Sequence, residues 1–129
     1  MKKLNRSHLG QIAQLKGELE SARKNILVNI PTIPSRYDAL LDLGNNKLSR
    51  VQIKFCNNKC SLNTLQLNLE RKHLNQKSYN QKDVDLLLVY VLCLDKILAF
   101  PPKMFHNKPT IYINLKNEES KNFWKKFEW

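Results

Sequence analysis

Residues 36–56, with the sequence RYDALLDLGNNKLSRVQIKFC, contain the most informative structural pattern in the chain. Residues 38–43 have strand character, residues 44–47 supply turn residues, and residues 48–56 alternate between apolar and polar side chains. Two strand-like segments joined by a glycine-containing turn are typical of a β-hairpin. The sequence therefore predicts a hairpin over these residues.

The second strand of this hairpin places polar side chains on one face. Because side chains alternate along a strand, Gln52 and Lys54 share a face, while Val51, Ile53 and Phe55 point to the other. Asp38 begins the neighbouring strand and can approach the later part of residues 48–56. We therefore expect Asp38, Gln52 and Lys54 to converge.

A helix is predicted before the hairpin, with Ser7 as its N-cap and an end near Val28. Its predicted buried stripe consists of apolar residues spaced by three and four, namely Ile12, Leu15, Leu19, Ala22 and Ile26.

Helical geometry then selects the acidic residue that can lean over the sheet. Glu18 falls about 80° from the centre of that stripe and Glu20 about 120° away. Glu20 also has Lys24 at i+4, the arrangement of a solvated helix pair. Gly17 would let the helix come close, so we expect Glu18 to join the site.

The rest of the chain predicts further strands around one sheet. The prolines of residues 31–35 predict an extended loop, and residues 70–82 a polar loop or short helix near DNA. Strands are predicted over residues 65–69, 85–93, 97–100 and 111–113, with the second of these central, and a helix over residues 118–129. We expect one domain over residues 1–129, of α/β (α+β) class, with a central mixed β-sheet flanked by helices.

Charge and hydropathy restrict the function. The chain of 129 residues carries 22 Lys and Arg against 11 Asp and Glu, a formal net charge of +11, which favours a polyanionic partner such as nucleic acid. The longest apolar run, residues 86–94, is far below the roughly 18 residues of a membrane-spanning helix. We expect no membrane partner, and no secretory signal because no apolar stretch follows the basic start. A cytoplasmic (intracellular) location with access to DNA is therefore predicted.

Cys56, Cys60 and Cys93 are an odd number of cysteines and are expected to be free thiols. A zinc site built from Cys56 and Cys60 with Cys93 or His73 is an alternative that the loose spacing supports poorly. Other acidic residues are expected to serve turns and strand ends, namely Asp42, Asp83, Asp85 and Asp95.

Taken together, these motifs resemble a known family. Gly17-Glu18 and Ala22 on a first helix, residues 36–42, a glycine turn and residues 50–54 resemble the core of PD-(D/E)XK nucleases. The subgroup with glutamine before the motif lysine includes homing endonucleases encoded in bacterial group I introns. The resemblance covers about residues 15–56 and, more loosely, about residues 83–102. It implies a restriction-endonuclease-like core.

The resemblance implies a catalytic set of Glu18, Asp38, Gln52 and Lys54. Asp38, Glu18 and the backbone carbonyl of Ile53 would hold Mg²⁺, for which Mn²⁺ can substitute, and Lys54 would orient or activate the attacking water. The chain departs from the family pattern at Gln52, which stands where an acid is usual, so weaker metal binding is expected. Pro34 also lies four residues before Asp38 rather than next to it.

The expected function is that of a Mg²⁺-dependent endodeoxyribonuclease acting on double-stranded DNA, as a site-specific homing endonuclease. A homodimer or homotetramer is expected because a double-strand cut needs two active sites. Two alternatives stay open: a structure-selective nuclease resembling Holliday junction resolvases, and a DNA-binding module of the same fold without catalysis.

Overall fold

The computed structural model describes residues 3–69 and 79–129. In chain order its elements are α1 (Arg6–Arg23), β1 (Leu27–Asn29), β2 (Ala39–Asp42), β3 (Leu48–Cys56), β4 (Thr64–Asn68), β5 (Leu86–Val91), β6 (Lys96–Phe100), α2 (Pro102–Phe105) and β7 (Thr110–Asn114). Short 3-10 turns lie at Leu92–Leu94 and Trp124–Phe127. Most of the polar excursion predicted over residues 70–82 lies outside the described residues.

Helix α1 begins and ends earlier than the sequence predicted. The N-cap is Asn5 rather than Ser7, because the Asn5 side chain accepts a hydrogen bond from the backbone N–H of His8. Such a bond satisfies one of the free N–H groups at a helix start. The helix ends at Arg23, and residues 24–28, which were predicted to continue it, form a turn and the first part of strand β1.

The buried face of α1 also differs from the predicted stripe. Leu15 and Leu19 are 56% and 43% exposed, whereas Ala13, Gly17 and Ser21 are buried. Small residues at i, i+4 and i+8 let the helix lie close to the sheet, and a Cβ at Gly17 would lie 3.3 Å from Cδ1 of Ile53. The predicted buried stripe is wrong, because the helix contacts the sheet through its small side chains and not through its most hydrophobic ones.

The main sheet has five strands in the order β1-β2-β3-β5-β6. Strands β3 and β5 are parallel, and the other neighbours are antiparallel. The predicted hairpin is confirmed, with Ala39 opposite Val51 and a turn in which Asn45 and Asn46 adopt positive φ angles. The predicted mixed sheet is confirmed by this combination of parallel and antiparallel pairs, and β5 lies inside the sheet, buried from Leu87 to Val91.

Different layers cover the two faces of this sheet. Helix α1 packs on one face, where its Ala13 meets a cluster that includes Leu41 and Val51. The other face is covered by a two-stranded ribbon, which consists of β4 and β7 and forms a sheet of its own. The buried residues of the ribbon are Leu65, Leu67, Ile111 and Ile113. They pack against four residues of the main sheet, namely Leu87, Val89, Leu98 and Phe100.

The C-terminal segment and two cysteines correct further predictions. Residues 118–129 form turns and the 3-10 turn, not a helix, and the backbone N–H of Trp129 donates to the carbonyl of Ile97. Cys60 and Cys93 form a disulfide, because the loop before β4 lies beside the turn between β5 and β6, while Cys56 is a buried free thiol. Two of the proposed zinc ligands are therefore bonded to each other.

Within residues 3–69 and 79–129, no helix has both the length and the apolar character needed to cross a membrane.

The packing predicts different costs for the same substitution at two leucines. Leu41 lies under α1 and is 2% exposed. Leu41→Ala should lower the unfolding free energy of the protein by about 2–5 kcal/mol, because the change removes buried contacts and leaves a cavity. Leu15→Ala should change it by less than about 0.5 kcal/mol. Urea denaturation measures both, and equal losses would show that Leu15 is buried as the sequence pattern suggested.

Candidate active site at the open edge of β3

Asp38 lies where the hairpin strands stop pairing. Strand β2 begins at Ala39 and pairs with β3 only as far as Val51, but β3 continues to Cys56. The backbone N–H of Asp38 makes one more bond, 2.8 Å to the carbonyl of Val51. Beyond that bond the edge of β3 that faces β2 has no strand partner among the described residues, while its other edge remains paired with β5.

The Asp38 carboxylate closes this open edge. Its Oδ2 accepts hydrogen bonds of 2.8 Å from the backbone N–H of Ile53 and from Nε2 of Gln52. Because the N–H and C=O of one strand residue point to the same side, the Ile53 carbonyl is also directed toward this edge. Asp38, Gln52 and the Ile53 backbone are thus brought together.

Lys54 lies on the same face of β3 as Gln52, the face away from α1. It lines an open cleft of about 360 Å³ between β3 and the ribbon, together with Arg6 of α1, Asn57, Asn58 and, on β4, Gln66 and Asn68. The cleft combines cationic and amide side chains, which suits a phosphate-bearing ligand. No motif in the sequence marks Arg6, Asn57 or Asn58: Arg6 lies beside Lys54 only because α1 packs there, and the two asparagines follow directly after β3.

In the described part of the chain, the Glu18 side chain makes no hydrogen bond with the other predicted site residues. It is half-buried and adjacent to Gly17, so it lies level with Ile53. Lys16 forms an ion pair with Asp95 at the turn between β5 and β6, which fixes one flank of the helix. Glu18 is roughly 200° around the helix from Lys16 and therefore lies on the flank that faces β1 and β2, where the edge of β3 is open.

The oxygen atoms around this edge are of the type that a hard divalent cation takes. They are the Asp38 carboxylate and the Ile53 carbonyl, with the Glu18 carboxylate on the adjacent flank of α1. No cluster of three or more acidic, histidine or cysteine side chains suited to a metal occurs in the described ranges. The donor set fits a cation that keeps much of its water shell, as Mg²⁺ does.

An ion pair fixes the base of β3 next to the site. Asp85 accepts three hydrogen bonds of 2.9 Å from Arg50, one from its backbone N–H and two from its guanidinium group. These contacts join the start of β3 to the start of β5, since the Asp85 N–H also donates to the Arg50 carbonyl. The hydrogen bond from the Arg50 side chain lowers the pKa of the Asp85 carboxyl below its usual value.

The other aspartates have structural contacts. Asp83 pairs with Arg36, and Asp42 accepts the Gly44 N–H in the hairpin turn. Asp95 accepts a hydrogen bond of 2.6 Å from the Tyr90 hydroxyl. Burial, followed by this bond, raises the pKa of Tyr90 to about 12. The sequence prediction that these acids serve turns and strand ends agrees with these positions.

The two histidines in the described residues, His8 and His106, have local contacts. The Nδ1 atom of His8 lies 2.8 Å from the Asn5 side chain, and His106 Nδ1 accepts the Gln81 N–H. His73, the other proposed zinc ligand, lies outside the described residues.

Comparison with known proteins supplies the family. A family model described as PD-(D/E)XK endonuclease matches residues 4–129. Among solved structures, the chain matches the bacterial homing endonuclease I-Ssp6803I with a TM-score of 0.75 and 18% identity, covering 98% of this chain and 88% of that chain. No curated protein matches the chain. The resemblance and the restriction-endonuclease-like fold expected from the sequence are confirmed.

The Arg50–Asp85 pair makes a pH-dependent contribution to stability. Because the folded-state pKa of Asp85 is lowered, the contribution is present above the unfolded pKa of about 3.9 and is lost as the pH falls through the folded pKa. We expect the difference in unfolding free energy between the wild type and Asp85→Asn to be constant above about pH 5 and to shrink below about pH 4.

Urea denaturation across this pH range measures the difference. Asp42→Asn is the matched control, since Asp42 contacts no arginine in the described part of the chain. A difference for Asp85→Asn that stays constant down to the acid limit would contradict the assigned ion pair.

Proposed function

This chain belongs to the PD-(D/E)XK endonuclease family, and from that premise we propose that it hydrolyses phosphodiester bonds in double-stranded DNA with a divalent metal ion. The observation that carries the proposal is the convergence of Asp38, Gln52 and the Ile53 backbone at the open edge of β3, with Lys54 on the same face. We further propose that residues 1–129 form one domain with one such site.

Three groups of this chain would hold the metal. They are the Asp38 carboxylate, the Ile53 carbonyl and the Glu18 carboxylate, with Mg²⁺ as the ion and Mn²⁺ as a substitute. Glu18 approaches along the flank of α1 because Gly17 brings the helix close to Ile53. When bound, the metal supplies positive charge to the phosphate as negative charge develops there.

The other side chains act on the substrate and on the site itself. The Lys54 ammonium group would hold the attacking water by a hydrogen bond and neutralise charge on the phosphate. The Gln52 amide fixes the Asp38 carboxylate by donating to its Oδ2. Arg6, Asn57 and Asn58 line the same cleft as Lys54 and are placed to bind the phosphates that flank the scissile bond.

The charge of the chain and the need to cut two strands bear on how the protein binds DNA and on its oligomeric state. A formal charge of +11 favours a polyanion, and DNA binding should therefore weaken steeply as salt rises. A cut through both strands needs two sites, so we propose a homodimer or homotetramer. We propose site-specific cleavage of the homing type, because the similar fold of I-Ssp6803I belongs to a homing endonuclease.

The test is cleavage of a plasmid library of diverse sequence in Mg²⁺ and in Mn²⁺. Asp38→Asn and Lys54→Ala should each reduce the cleavage rate at least about 100-fold, because the first removes the charged ligand proposed for the metal and the second removes the cation proposed to neutralise the phosphate. Lys47→Ala, in the exposed hairpin turn, is the matched control and should cut at the wild-type rate.

Discrete cuts that both site variants abolish would support a site-specific nuclease. Preference for a four-way junction over linear duplex would instead support the structure-selective alternative. DNA binding without cutting under every metal condition would overturn the catalytic proposal and leave a DNA-binding module.

Gln52 offers a second test, directed at the metal. In Gln52→Glu the 2.8 Å contact with Asp38 would join two carboxylates, so the metal-free protein should unfold at a lower temperature. The added negative charge should raise Mg²⁺ affinity by about tenfold, and saturating Mg²⁺ should restore the unfolding temperature.

Thermal unfolding during a Mg²⁺ titration measures both effects. Gln11→Glu, on the exposed side of α1, adds the same charge away from the site and should leave Mg²⁺ affinity unchanged. Equal Mg²⁺ affinity in the wild type and Gln52→Glu would show that the metal does not bind beside Asp38.

A further inference from the structure

The β4–β7 ribbon has an outer face that no described part of the chain covers. Its side chains form three cross-strand pairs, Thr64–Asn114, Gln66–Tyr112 and Asn68–Thr110. All six are polar and uncharged. Gln66 and Tyr112 form the central pair, and Tyr112 is 54% exposed.

The ribbon presents this face on a rigid support. Every inner residue of the ribbon is at most 3% exposed, and Asn58 Nδ2 donates 3.0 Å to the carbonyl of Gln66. The backbone at Gln66 is therefore fixed both by the buried inner face of the ribbon and by the hydrogen bond from Asn58. Within the described residues, the Gln66 side chain makes no hydrogen bond, so its amide is available to a ligand.

The outer face also adjoins the site proposed for cleavage. Gln66 and Asn68 line the cleft that contains Lys54. A duplex that places a phosphate at Lys54 would therefore pass over the neighbouring ribbon. Lysines lie in sequence at both ends of the ribbon, Lys59 and Lys116 at one end and Lys108 at the other, where they can meet phosphates on both sides of a groove.

We propose that the ribbon enters the major groove and that Gln66 recognises an adenine there; this inference rests on the proposed function. A two-stranded antiparallel ribbon fits the width of the major groove, and a glutamine amide pairs with N6 and N7 of adenine through two hydrogen bonds. The outer face carries neither arginine, which selects guanine, nor a carboxylate, which selects cytosine. The ribbon therefore favours A·T pairs beside the scissile phosphate.

The experiment selects bound sequences from a random duplex library in Ca²⁺, with wild type, Gln66→Ala and Gln66→Arg compared at one salt concentration. Gln66→Ala should lose preference for adenine at one position by about tenfold, and affinity for a random-sequence duplex should change less than about twofold. Gln66→Arg should turn the same position toward guanine, a change that a merely structural role of Gln66 would not produce.

Gln11→Ala, on the exposed side of α1, is the matched control and should select the wild-type motif. A motif shared unchanged by all variants, or a wild type that binds duplex DNA with no motif, would overturn the ribbon proposal while duplex binding stands. A wild type that binds no duplex would overturn the proposed function and the ribbon proposal together.

Discussion

The Asp38 carboxylate occupies the place of a missing strand neighbour beside β3. It accepts the Ile53 N–H that a longer β2 would have bonded, so β3 can extend past its partner without leaving that donor unsatisfied. At this point a side chain replaces a backbone partner, so strand pairing in the hairpin ends and the Ile53 carbonyl is left at an open edge. This arrangement also fixes a carboxylate there, so the geometry of the candidate site and the end of strand pairing have the same cause.

On the face of the sheet covered by α1, small side chains rather than strongly hydrophobic ones allow the helix to pack closely. Ala13, Gly17 and Ser21 form the contact surface of α1, and Gly17 lies against Ile53, the residue whose backbone meets Asp38. A larger side chain at position 17 would lift the helix from the strand and move Glu18 away from its edge. The close packing of α1 is therefore a condition for any acidic group on that helix to serve the site.

Local signals in the sequence predicted local structure, and the errors lie where distant segments meet. The hairpin turn and the alternation that groups Gln52 with Lys54 depend on neighbouring residues, so they could be predicted. The pairing of β4 with β7 and the Cys60–Cys93 disulfide join segments far apart in the chain, and nothing in either segment specifies its partner. The C-terminal aromatics suggested a helix, but contacts with β6 hold that segment in turns. The family motif predicted Asp38 as a site residue, but it did not show that the Asp38 carboxylate replaces a strand neighbour.

The glutamine at position 52 changes how the site is held together. A carboxylate there would face Asp38 at hydrogen-bond distance, and two like charges so close would depend on a cation to remain together. The Gln52 amide instead donates to Asp38, so the site can be ordered without a metal. The same amide contributes no negative charge, so under the proposed function only the Asp38 and Glu18 carboxylates would attract the cation. Under the proposed function, a glutamine at this position would exchange metal affinity for a site that is already formed before the metal and the substrate bind.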